Sequence, residues 1–361
     1  MNPPLRHWLL IPLLAAFAPC VQAQDFAPRN KASLLTIGNS FTLDSTSHLL
    51  QLAQAGNKDL ILLNLAKGGC SLQEHAMALQ AMQADPQSIK ADIYKVSGPA
   101  GQTFPPKAKV DLLDGLKAGS WDFITIHQYS KLSFKPESYE PFAGELVKFL
   151  KAHAPKSEIL IHESWAYRED DPLFKDGSFT SDQMHAALKA AYTKMATDHQ
   201  LRIIPIGDAF QAARKTPEWQ FQRDPSFDFA NPPKGGLPKE PRSLNVGWIW
   251  RKAAPVSETP DVSPDNDRAV AAEVPARFIL DAHHANVAGD YLGSCVFYEV
   301  LFQDDVTRLV SYVPKGLTPE QAASLRQIAH DTVAEQRQAE AGYLQASQPA
   351  SPIGGAYSRN N

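Results

Sequence analysis

Short, nearly continuous apolar runs recur along the chain, and most are followed by segments whose apolar residues return every three or four positions. Residues 33–37 (SLLTI), 60–65 (LILLNL), 123–126 (FITI), 158–161 (EILI) and 202–206 (RIIPI) are short and rich in Ile and Leu. Runs of this length without polar alternation are expected of strands covered on both faces. Between them, residues 45–54, 141–153 and 181–199 carry helical spacing, the last with Ala186, Leu188, Ala191 and Met195 on one stripe. Strand–helix–strand alternation predicts a three-layer α/β/α sandwich around a central parallel sheet.

Two regions depart from this rhythm. From residue 216 to about 275 the chain is rich in Pro, Gly, Asp and Lys, with Trp248-Ile249-Trp250 as its apolar knot. So long a stretch inside an α/β domain is expected to be a functional insertion or an irregular segment. After Pro314, Thr318-Pro319-Glu320-Gln321 reads as a capping box with proline at the first helical position. It predicts a C-terminal helix over 316–344, followed by a tail at 345–361 too poor in bulky apolar residues to pack.

The ends and the composition narrow the setting. Arg6, the apolar run 8–18 and Val21-Gln22-Ala23 read as a signal peptide over residues 1–23. Its apolar stretch falls well short of the roughly 20 residues of a membrane span. The mature chain is therefore expected to be exported, periplasmic or secreted, with no span left after cleavage. Its main body is a domain over 31–315. The formal charge of −4 falls to −5 without Arg6, and no basic run offers a footprint for nucleic acid. Cys70 and Cys295 remain, and the sequence leaves open whether they form a disulfide or sit as two buried thiols.

Candidate chemistry gathers where strands end. Gly38-Asn39-Ser40-Phe41-Thr42 follows the first run, and in an open parallel sheet ligands bind outside the carboxyl ends of the strands. A serine there is placed to act as a nucleophile once a base takes its proton; it could equally cap the following helix. The second segment is Asp281-Ala282-His283-His284, leading into an apolar helix. A carboxylate three residues before an imidazole can hold one ring nitrogen while the other faces the serine. Gly68-Gly69, after the second run, leaves backbone N–H groups open to a developing oxyanion. Gln128, at the end of the third run, offers an amide for the same purpose.

These segments, in this order, resemble the four blocks of the SGNH/GDSL hydrolase superfamily. IGNSFT (37–42) is similar to the first block, with Asn39 in place of the usual Asp, and LAKGGCSL (65–72) to the second. ITIHQYS stands where the third block normally ends in Gly-x-Asn, so Gln128 is only the nearest chemical substitute. LDAHHAN matches the fourth, Asp-x-x-His. The resemblance covers roughly residues 31–304. It implies a flavodoxin-like fold, no metal and no cofactor. It also implies ester hydrolysis by Ser40, His284 and Asp281, with Gly69 and Gln128 at the oxyanion. The partner would be a small-molecule or glycan ester, with Trp165, Trp248 and Trp250 as candidate substrate contacts, although Trp248 and Trp250 could equally plug the core of their insertion.

Three other readings remain at this point. His75, His127, Asp281, His283 and His284 could assemble a metal-dependent hydrolase. Glu163 with Asp170 or Asp171 could form a glycosidase pair, and the altered third block could mark a glycan-binding module without activity.

Overall fold

The computed structural model describes residues 27–98, 109–251, 254–255, 273–274 and 277–345. The signal-peptide segment 1–23 and the tail beyond 345 lie outside the described residues.

The elements follow the apolar pattern closely. β1 (Lys31–Gly38), α1 (Ser40–Thr46), α2 (Leu49–Ala55), β2 (Asp59–Ala66), α3 (Leu72–Ala84), β3 (Lys95–Ser97) and α4 (Leu112–Lys117) come first. Then come β4 (Phe123–Ile126), α5 (Phe142–His153), β5 (Glu158–His162), α6 (Ser181–His199), β6 (Arg202–Ile204) and α7 (Ile206–Arg214). β7 (Trp248–Arg251), β8 (Ala254–Pro255), β9 (Glu273–Val274), β10 (Arg277–Leu280), α8 (Val287–Phe302) and α9 (Pro319–Gln345) complete the described elements.

β1, β2, β4, β5 and β6 pair in parallel, in the order β2-β1-β4-β5-β6, and β3 adds an antiparallel edge on β2. This is the α/β sandwich the pattern predicts. The strand order reverses between β1 and β4, so the crevice of the fold opens where those two strands end. β1 is buried from Ala32 to Gly38, and both its faces are covered. α8 is apolar on nearly every side because it is an interior helix, touching β1 and β6 and enclosed by α1, α2, α7 and α9. α9 begins with the expected capping box: the Gln321 N–H donates to Thr318 Oγ1 at 3.2 Å and the Thr318 N–H to Gln321 Oε1 at 3.0 Å. Its far end locks onto the sheet, where Glu340 accepts the Ile203 N–H at 2.7 Å. Among the described residues no helix is long and apolar enough to cross a membrane.

Two local differences have physical causes. The helix expected over 45–54 is two helices, and the first starts five residues earlier because the Asn39 side chain caps it, accepting the Phe41 N–H at 3.1 Å. Ser45 and Thr46 turn their hydroxyls back onto Phe41 O and Thr42 O, both at 2.8 Å, and the helix breaks at the next residue. The fifth run stops at Ile204 because Pro205 has no N–H to continue the ladder. Cys70 and Cys295 are both buried free thiols, so of the two states left open the structure holds the unbridged one.

Candidate active site

β1 ends at Gly38, where there is room only for a hydrogen: a Cβ there would lie 2.1 Å from Thr42 Oγ1 and 2.6 Å from His127 Nε2. That close approach lets the chain turn at once into α1, whose first residue is Ser40. Ser40 is half-buried, and its hydroxyl lies 2.9 Å from His284 Nε2, 244 residues downstream. On the other side of the ring, His284 Nδ1 lies 3.0 and 3.1 Å from the two oxygens of Asp281. An ionised carboxylate only accepts, so Nδ1 carries the proton and Nε2 presents its lone pair to the serine. Burial works to raise the Asp281 carboxyl. The ring and backbone hydrogen bonds from His284, with the charges of both histidines, outweigh burial and bring it down to about 2. Burial likewise works to lower His284, but Asp281 and then Asp44 leave it above the ordinary histidine value.

The loop that carries His284 is seated largely through its backbone. The N–H groups of His283 and His284 donate to Asp281 Oδ1 at 3.2 and 2.9 Å. Those of Asp281, Ala282 and Asn286 donate to the carbonyls of Gly247, Val246 and Leu244 at 3.1, 3.0 and 2.9 Å, and the Val246 N–H returns a bond to His284 O at 2.9 Å. Ala282 holds a left-handed φ of 56° there, and its carbonyl accepts the Arg168 N–H at 2.9 Å. Residues 243–247 thus form a strap running antiparallel to 281–286. The strap belongs to the insertion expected at 216–275, and its backbone holds the segment that carries His284. Arg168 pins the strap. Its buried guanidinium donates to both oxygens of Asp170 at 2.7 and 2.9 Å, to Glu240 at 2.6 Å and to Ser243 Oγ at 3.4 Å, and packs 4.0 Å from the Phe221 ring centre.

Gly69 has φ +64°, a conformation glycine adopts freely, within the turn from Lys67 to Cys70. This turn is fastened to the serine segment: the Lys67 N–H donates to Gly38 O and Asn39 Nδ2 to Cys70 O, both at 3.1 Å. Gln128 has a different job from the one expected. It is 0% exposed, its Oε1 accepts the Leu72 and Tyr129 N–H groups at 2.9 and 2.8 Å, and its Nε2 donates to Ser138 O and Oγ at 2.9 and 3.0 Å. Every hydrogen-bonding group of that amide is engaged in the scaffold, so none is left for an oxyanion.

Trp165, too, lies away from any substrate. It is 0% exposed, sandwiched between Phe41 and Phe210 at 4.1 and 4.6 Å, and its indole N–H donates to His283 O at 2.8 Å. It supports the loop of residues 281–286 from below and is too deeply buried to touch a substrate. Trp248 and Trp250 lie on β7, half-buried, each packed against Phe278 of β10, at 4.8 and 5.2 Å between ring centres. Their contacts are those of an aromatic plug within the insertion.

The rival constellations come together only in part. His75 lies 2.8 Å from the Tyr94 hydroxyl, and His127 accepts the Asn39 N–H while stacking on His162 at 4.5 Å. Of the five candidate ligands only Asp281, His283 and His284 cluster, and the Asp281 oxygens already hold the loop. Glu163 is buried beneath α7, accepting the Asp208 N–H at 3.0 Å, whereas Asp170 is paired with Arg168.

Residues 33–228, more than half the chain, match the family model described as a domain of unknown function, DUF4886. The chain belongs to the DUF4886 family. The crystal structure of a DUF4886 family protein from Bacteroides uniformis is similar in fold, with a TM-score of 0.62 at 22% identity, over 84% of this chain and 95% of that one. Two further solved structures are an acetylxylan esterase from Geobacillus stearothermophilus and a GDSL-like lipase from Bacteroides thetaiotaomicron. The esterase gives a TM-score of 0.30 at 15% identity, covering 51% of this chain and 80% of its own. The lipase gives 0.29 at 8% identity, over 48% and 67%. Likeness at that level is too loose to carry an assignment. No curated protein sequence matches. The strand order, the serine at the first strand's tip and the Asp-x-x-His segment before α8 give this DUF4886 member the α/β sandwich and the placement of blocks expected from the SGNH resemblance.

Proposed function

We propose that the protein is an exported serine esterase working through an acyl-enzyme. One observation carries the reading: a serine hydroxyl, an imidazole and a carboxylate stand in line at 2.9 and 3.0 Å at the crevice of the sheet. In this reading His284 Nε2 takes the Ser40 proton as Oγ attacks the acyl carbon, and Asp281 stabilises the resulting imidazolium. The N–H groups of Ser40 and Gly69 have no protein partner among the described residues, and they serve as the oxyanion donors. His284 then hands its proton to the leaving alcohol. Water, deprotonated by the same ring, releases the acid and restores Ser40. The substrate is an ester of a small molecule or of a glycan.

The test is an organophosphonate probe, which labels an activated serine without any guess at the substrate. A single adduct on Ser40, absent in Ser40→Ala, is the expected result. An unlabelled, folded protein that retains glycan binding would replace this reading with that of a binding module.

A further inference from the structure

Ser40 is not the only residue of α1 that reaches the base loop. Asp44, four residues on and therefore on the same helix face, is half-buried, and its Oδ2 accepts the Ala285 N–H at 3.2 Å. Around it, the N–H groups of residues 281, 282 and 286 go to the strap and those of 283 and 284 to Asp281. Ala285 is the one backbone donor of the loop that turns to the nucleophile helix. Apart from the Ser40–His284 contact, this is the hydrogen bond that ties nucleophile to base among the described residues. The titratable groups facing Asp44 are His284 and Asp281 on the base loop and Asp290 on α8. His48, at the start of α2, is turned to the Tyr312 hydroxyl at 2.7 Å.

We infer that Asp44 is a second carboxylate of the catalytic base, a positioning residue that fixes His284 against Ser40 and supplies negative charge to the imidazolium. The inference rests on the serine-esterase reading. Asp281 grips the ring from Nδ1, while Asp44 holds the residue just after it and stands beside the serine. A buried anion there favours the charged imidazole. Burial, opposed by the charge of His284 and the Ala285 hydrogen bond, places the Asp44 carboxyl at about 6. Each charge favours the other, since His284 draws the Asp44 carboxyl down and Asp44 draws the imidazole up, so the acid limb of activity belongs to the pair.

The test compares Asp44→Asn, which keeps an oxygen for the Ala285 N–H, with Asp44→Ala, which keeps neither charge nor acceptor. Both are followed by kcat/KM against pH on a chromogenic acetate ester, and by titration of the His284 ring in NMR spectra. Removing the charge should lower the His284 midpoint by roughly half a unit to one unit, carrying the acid limb to lower pH in both variants. Asp44→Ala should also lose on the order of tenfold in turnover rate, and Asp44→Asn should recover most of that loss. A residue that merely packs would lower the plateau without moving the limb or the ring titration. An unmoved His284 midpoint in Asp44→Asn overturns the inference. Absence of turnover in the unaltered protein, with the midpoint shift still seen, would instead strike the esterase reading and leave the coupling standing.

Discussion

Replacing Arg168 with methionine tests whether the strap positions the base. The side chain is buried, and its loss strands two carboxylates. Glu240 has a side chain only 8% exposed and has no second cation in hydrogen-bond contact among the described residues, whereas Asp170, at 20%, can turn toward water. Removing one partner of a buried ion pair costs about 3–5 kcal/mol, because the remaining charge keeps its desolvation penalty. Solvation of Asp170 puts the expected loss near the lower end, about 3 kcal/mol, or roughly 4 °C in Tm for a domain of this size. The Arg168 N–H to Ala282 O bond belongs to the backbone and survives, but Glu240 and Ser243 lose their anchor, so the strap carrying Val246 and Gly247 shifts. A displacement of a few tenths of an ångström in the base loop would lower kcat/KM by roughly 10- to 100-fold. Urea unfolding and ester turnover, both well below Tm, measure the two effects. Adding Glu240→Gln should restore about half of the lost stability by removing the stranded charge. Full turnover in a destabilised Arg168→Met would refute the claim that the strap positions His284.

Further outcomes follow from the same geometry. Asp281→Asn keeps an acceptor for the backbone of the loop but offers an amide to Nδ1. This favours the wrong ring tautomer, and turnover should fall by about 10³–10⁴-fold with little change in Tm, read by ester hydrolysis and calorimetry together. Gln128→Ala should destabilise by about 2–4 kcal/mol in urea, since four scaffold bonds are lost in a buried place. Turnover slowed by about 100-fold or more at unchanged stability would instead return Gln128 to the oxyanion. Asp290 is pushed up to about 8, mainly by burial and then by the charge of Asp44, and one of its oxygens is buried without a partner. Because an acid with a raised folded pKa lets the unfolded chain release its proton first, stability should fall as pH rises from about 4 to about 8. Asp290→Asn should flatten that slope, gaining on the order of 1–3 kcal/mol at pH 8 relative to pH 4; an unchanged slope in urea unfolding across that range would refute the assignment.

What the sequence disclosed depended on where each signal resides. Strands covered on both faces must be apolar throughout, so β1, β2, β4 and β5 stood out as Ile- and Leu-rich runs. The edge strand β3, with only Lys95, Val96 and Ser97 and one side paired, carries no such pattern. Ser40, Asp281 and His284 were legible because their side-chain chemistry is restrictive and their spacing repeats a known order of blocks. The strap was not, because it acts through the peptide groups of Leu244, Val246 and Gly247, and any residue has those. Trp165 and Gln128 failed as site residues for a related reason. Indole and amide read the same at the wall of a cleft or inside the scaffold, and only burial separates the two. Asp44 in the middle of a short helix looks like any solvent-facing acid until the loop from position 281 arrives beside it.

The two unbridged cysteines give the molecule a built-in reporter of opening. Cys70 closes the turn that holds Gly69, and Cys295 lies at the centre of α8. Burial, chiefly, pushes the Cys70 thiol up to about 12 and that of Cys295 higher still. Neither sulfur can meet an alkylating reagent as a thiolate while the native packing holds. The rate at which each is modified therefore clocks a separate fluctuation: the loosening of the glycine turn for one, and the breaching of the interior helix for the other.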